Sequence, residues 1–150
     1  MTFHRLGHAW LLRPGHADQR SIDFVVDGLR LSSLVADKDL CGRLSADPEA
    51  AWNPEVLQIL RGEAPADAEG DRVMLYVCAE CGDLGCGALT CRVVRTERTI
   101  AWSDFAFEND YDPDMTDRAS YADVGPFLFD AAQYRAALES AAGARPGAVA

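Results

Sequence analysis

Lysine occurs once in the 150 residues, at Lys38, and the chain carries a net charge of −10. Fourteen bases against 24 acids disfavour the phosphate-neutralising surface that nucleic-acid binding requires. No apolar run approaches the roughly 18 residues of a membrane span, so no membrane contact is expected. The opening MTFHRLGHAWLLRPG has only a short apolar patch, Ala9 to Leu12, and lacks the longer core and small-residue cleavage site of a secretory signal. A cytoplasmic location is the resulting expectation. There is no G-x-S-x-G and no G-x-x-x-x-G-K-[ST], which removes nucleophile-elbow and P-loop chemistry, and there is no internal repeat.

The composition, 49% hydrophobic and 25% charged, is that of an ordinary globular protein. Its length suits a single domain over residues 1–150, with 144–150 as a frayed tail. The charge is uneven: successive fifty-residue thirds carry −1, −3 and −6. Between Asp104 and Asp130 eight carboxylates face one base, Arg118. That field repels phosphate backbones and attracts cationic partners.

Periodicity predicts strands over His8 to Arg13 and Ile22 to Leu31, the second broken by Asp27-Gly28, a two-residue hairpin signal. Asn53 and Pro54 are suited to cap and start a short helix burying Val56, Leu57, Ile59 and Leu60, which Gly62 stops. After a loop from Glu63 to Asp71, strands are predicted over Arg72 to Cys78, Ala88 to Arg95 and Thr99 to Phe107, forming a meander. Asp130 can cap a last helix that buries Ala131, Tyr134, Leu138 and Ala141. Runs of strands with separate helices predict an α+β fold with a mainly antiparallel sheet.

One stretch points to specific chemistry. CAECGDLGCGALTC, residues 78–91, holds four of the five cysteines in a C-x2-C-x4-C-x4-C spacing between two predicted strands. The chain must reverse within it, which can bring Cys78, Cys81, Cys86 and Cys91 toward one point. Tetrahedral zinc needs such convergence, with sulfurs about 2.3 Å from the ion. A reducing compartment disfavours structural disulfides and leaves metal, redox and simple burial as explanations. Cys91 alternates onto the face of Leu89 and Val93, which should enter the core, so the fourth ligand is open. Cys41, isolated in KDLCGRL, reads as a small buried hydrophobe.

Cys78-Ala79-Glu80-Cys81-Gly82 resembles the metal knuckle of zinc ribbons and rubredoxin-like sites, with Gly82 where the backbone turns tightly. Together with Gly85, Cys86 and Cys91 it also resembles the zinc knuckle of retroviral nucleocapsids, with Cys86 in place of the histidine. These resemblances imply bound zinc. Nucleic-acid binding, which the second would also imply, remains a distant alternative, because Glu80 and Asp83 stand where such knuckles need basic and aromatic flanks. Residues 75–111 faintly resemble a family of uncharacterised bacterial proteins, some labelled as oxidoreductases.

The redox alternative uses Cys78 and Cys81 as a C-x-x-C couple. Against it, Gly82-Asp83-Leu84-Gly85 is a poor helix start, and Glu80 between the thiols opposes thiolate formation. A metal-free hairpin with idle thiols is the third reading. Asp110, Asp112 and Asp114 alternate as in a calcium loop, but Met115 and Tyr121 occupy the positions that need glycine and a bidentate carboxylate. His4 and His8 have a ligand spacing only on a helix, which Gly7 argues against. Trp102, Asp104, Glu108, Asp110, Asp112 and Asp114, beside Phe105, Phe107 and Tyr111, make an acidic surface with aromatic anchors, suited to a basic protein partner. The expected function is therefore a non-enzymatic, acidic protein-binding domain of inhibitor, immunity or adaptor type, with Zn2+ tying its cysteine hairpin. A thiol oxidoreductase or redox sensor is the alternative.

Overall fold

The Asp27-Gly28 turn organises the first sheet. Both residues take positive φ, 50° and 85°, the pattern of a turn whose twist matches that of the strands it joins. β1 (Leu6–Arg13) pairs with β2 (His16–Val26), which pairs with β3 (Leu29–Arg30), all antiparallel. A computed structural model describes residues 2–13, 15–66, 68, 71–80, 87–109 and 116–143 of the chain. The proposed tail, 144–150, lies outside them.

The second sheet has the order β4 (Leu40–Gly42), β5 (Arg72–Cys78), β6 (Ala88–Arg95), β7 (Thr99–Glu108), β8 (Phe127–Asp130), again antiparallel throughout. The fold is α+β with mainly antiparallel sheets, as the sequence predicts. The meander β5–β6–β7 matches the predicted strands closely. β4 and β8 extend it at either edge.

The two sheets meet where β4 crosses β2. The Ile22 N–H donates to the Leu44 carbonyl at 2.9 Å, and a Cβ at Gly42 would lie 1.9 Å from the Ile22 carbonyl oxygen. Only glycine permits that approach. The helix α1 (Asn53–Leu60) starts at Asn53, but not by the expected cap: the Asn53 side chain accepts from the Ser45 N–H at 2.9 Å and donates to the Ser45 carbonyl at 3.1 Å. It fastens the preceding loop instead. Gly62, at φ 73°, stops the helix as predicted. Before α2 (Ala131–Gly143), the Asp130 Oδ2 accepts from the Gln133 N–H at 3.0 Å, the predicted cap.

Both sheets and both helices contribute to one hydrophobic core. At its centre Trp102 is fully buried, with its ring edge-to-face against Phe24, Phe129 and Tyr134 at centroid distances of 5.5, 5.2 and 5.9 Å. Its indole N–H donates to the Tyr134 hydroxyl at 3.1 Å, which donates to the Leu60 carbonyl at 2.6 Å. Every polar atom of that buried chain is thus satisfied. Beneath it, the buried Asp23 carboxylate accepts from the Tyr76 hydroxyl, from Arg30 Nε at 2.8 Å and from the Ser32 N–H at 3.1 Å. Burial first, then the adjacent Asp23 charge, push the Tyr76 phenol well above its ordinary pKa, so it stays a donor.

Candidate functional site

The cysteine segment springs from one end of the second sheet. Val77 pairs with Ala88, and the Cys78 N–H donates to the Gly87 carbonyl at 3.1 Å, so residues 79–86 connect two paired strand ends. Gly87, at φ 146°, lies under Phe107, whose Cζ would be 2.3 Å from a Cβ there. Cys81 and Cys86, with Gly82 and Gly85, lie outside the described residues. Among the described residues no three His, Cys, Asp or Glu side chains converge on a metal position.

Cys91 does not belong with Cys78. It pairs with Val73, five residues before Cys78 on β5, which at strand rise is a separation of about 16 Å. Two sulfurs on one zinc lie at most about 4.6 Å apart. Cys91 is instead fully buried in the main core, and that burial pushes its thiol far above the ordinary pKa. This corrects the expected four-cysteine set. The alternation with Leu89 and Val93 had already pointed inward.

Cys41, read from sequence as an isolated apolar residue, stands beside the hairpin. β4 pairs with the end of β5, with Leu40 opposite Cys78 and Cys41 opposite Val77. Cys41 is half-buried, packs near Met74, Val77 and Ala88, and lines a cleft of about 690 Å³ with Leu11, Arg13, Ser21, Trp52 and Glu80. Burial raises its thiol pKa most, and Cys78 raises it further, while Arg13 lowers it.

Arg13 fastens this corner. Its Nη2 meets the Asp39 Oδ2 at 2.7 Å and the Glu80 Oε1 at 2.5 Å, and its Nε donates to Asp39 Oδ1 at 3.2 Å. The hydrogen bonds to Glu80 and Asp39 hold the guanidinium still more firmly protonated. The Ala79 N–H donates to the Asp39 carbonyl at 3.2 Å. The end of β1, the entry to β4 and the first residues after Cys78 are therefore joined. Glu80, which by itself would oppose thiolate formation, has its charge matched.

The expected acidic partner surface divides. Trp102 is core, and Glu108 turns inward, so neither is available to a partner; both are corrections. Asp104, at φ 55°, breaks the alternation of β7: Ile100 and Trp102 enter the main core before it, Phe105 after it. Ala106 and Glu108 thereby fall on the opposite face. There Arg72 Nε donates to Glu108 Oε2 at 2.9 Å and to Thr90 Oγ1 at 3.0 Å, and its Nη1 meets Asp104 Oδ2 at 2.9 Å. The Thr90 hydroxyl donates to the same Glu108 oxygen at 2.5 Å. Asp104 keeps partial exposure and also faces Arg118 at 3.5 Å. Asp110, Asp112, Asp114 and Tyr111 lie outside the described residues.

The two histidines have structural roles. His4 Nδ1 accepts from the Leu128 N–H at 3.0 Å with its ring edge-on to Phe127, and His8 pairs with Phe24 within β1–β2. No helix among the described residues is long and apolar enough to cross a membrane. Comparison with protein-family models, curated proteins and solved structures found no match.

Proposed function

We propose that the chain is a non-enzymatic, acidic protein-binding domain of the cytoplasm whose cysteine hairpin is tied by zinc. The observation that carries the reading is the joining of β5 and β6 at Cys78 and Gly87, which roots Cys78, Cys81 and Cys86 in one connection at one sheet end. Thiolates close in sequence and anchored to a fixed base bind zinc well because the folded sheet has already met part of the ordering cost. The buried Cys91 thiol and the half-buried Cys41 thiol, both raised in pKa by burial, favour structure over nucleophilic chemistry at those two positions.

A basic partner accords with the net charge of −10 and with the largely exposed carboxylates of Asp37, Asp39 and Glu80. Such charge steers a cationic surface and repels nucleic acid. The experiment is the metal content of the full chain by native mass spectrometry, paired with binding of a lysine-rich peptide at low and high salt. About one zinc per chain and peptide binding that fades with salt are expected. Apo protein throughout, with one thiol reacting rapidly at neutral pH, would replace the reading with the redox alternative.

A further inference from the structure

β6 leaves the cysteine hairpin at Ala88 and ends at Arg95, among bases. There three arginines from three parts of the chain converge on one carboxylate. Arg135 Nη2, on α2, meets Glu63 Oε2 at 2.8 Å; Arg61 Nη1, just past α1, meets Glu63 Oε1 at 3.5 Å; and Arg95 Nη1 meets Glu63 Oε2 at 3.9 Å. We infer that this basic island binds the dianionic phosphoryl group of a small phosphate monoester. Neither zinc nor a basic partner enters into it.

The charge balance carries it. Only Arg135 lies within the roughly 2.7–3.2 Å of an ordinary N–H···O bond to Glu63. Arg61 and Arg95 reach the same carboxylate at longer range, and among the described residues neither has a second one. One carboxylate therefore stands against three guanidiniums, a surplus close to the charge that a phosphate monoester carries at neutral pH. In addition, Arg61 Nε is buried without a hydrogen-bond partner among the described residues. Buried donors almost always have an acceptor, and a phosphoryl oxygen is a strong one for a guanidinium.

The fold holds these groups in place. The Gly62 turn sets Glu63, whose N–H donates to the Gln58 carbonyl at 2.9 Å, and a Cβ at Gly62 would lie 3.1 Å from Arg95 Cβ, so the arginine stem passes against the glycine. The Tyr134 hydroxyl on the Leu60 carbonyl fixes α2, and with it Arg135, against the end of α1. Arg95 and Arg135 keep nearly half their surface open to solvent, which gives a ligand access. Beside the cluster, a cavity of about 400 Å³ is lined by Ile59, Ala64 and Val93, together with Arg92, Arg95 and Asp71. Its apolar wall suits the carbon body of an ester, and its size is that of a small-ligand site. With the cavity included, four guanidiniums face two carboxylates, so the surplus persists. A nucleic-acid backbone needs a basic face many phosphates long, whereas one phosphoryl group needs only this island.

Calorimetric titration of the full chain near neutral pH and at constant ionic strength, with phenyl phosphate and with inorganic phosphate as probes, tests this. Phenyl phosphate should saturate one site about tenfold more tightly than inorganic phosphate, because its ring enters the cavity. Arg61→Gln and Arg95→Gln should each weaken it about tenfold, while Arg20→Gln, in the separate cleft beside Cys41, should leave it unchanged. Glu63→Gln should tighten it, since the competing carboxylate is gone; a cluster that only ties α1, β6 and α2 together predicts no such gain. No saturable binding in wild type, or a loss in Arg20→Gln equal to that in Arg61→Gln, would overturn the site. Equal affinities for the two probes would overturn the ester assignment, and a Glu63→Gln affinity no better than wild type would overturn the charge account.

Discussion

An arginine–carboxylate cluster sits at each end of β5, and each is built on one arginine, one aspartate and one glutamate, with Arg118 added at the first. At its start the Arg72 side chain is 4% exposed, against Glu108 at 11% and Asp104 at 38%. At its end the Arg13 side chain is also little exposed, at 10%, but it reaches Asp39 and Glu80, which are 55% and 72% exposed, so the contrast lies in the carboxylates. Similar charge sets thus sit in unlike surroundings. A buried charge cannot be left alone, because water no longer solvates it, so the first cluster must stay complete for the sheet to stay folded. At the second, water and salt compete with each contact, so it orients chain segments while adding little to global stability.

The largest effect should come from breaking the dry cluster. Arg72→Met leaves Glu108 buried without its cation and should lower stability by about 3–5 kcal/mol in urea titration, with Glu108→Gln in the same chain recovering part of the loss. Recovery would show that the cost lies in the orphaned charge rather than in lost packing. No loss in the single variant would mean that water reaches this face. At the wet end Arg13→Gln should leave the urea midpoint nearly unchanged, yet weaken zinc and make its affinity less dependent on salt, since the screened contacts are gone. A large fall in global stability there would erase the distinction between the two ends.

The sequence showed much of the fold where its signals are local. The Asp27-Gly28 turn, the Gly62 stop, the Asp130 cap and the meander β5–β7 are all legible because each depends on a few neighbouring residues. β4 and β8 were not, since three or four residues carry no periodicity and become strands only through their partners. The same limit hid the neighbourhood of Cys41 and Cys78, which a long-range pairing creates. Glu108 was misplaced for a subtler reason: the left-handed backbone at Asp104 reverses the alternation that periodicity assumes. Counting charge along the chain also missed Arg72, which arrives from another strand to pair with Asp104 and Glu108. Cys91 alone of the hairpin cysteines could be read as core from its neighbours.

The central claim is that zinc holds the Cys78 end of the sheet while the aromatic core holds the rest. Hydrogen exchange of the full chain, with and without a chelator, tests it most directly. Chelation should speed exchange at the Cys78 and Ala79 amides, which bond to Gly87 and Asp39, and at Arg43, which bonds to Leu75. The amides of Ile100, Trp102 and Phe129, paired within the core strands, should keep their protection. Protection at Cys78, Ala79 and Arg43 that is indifferent to the chelator would contradict the account.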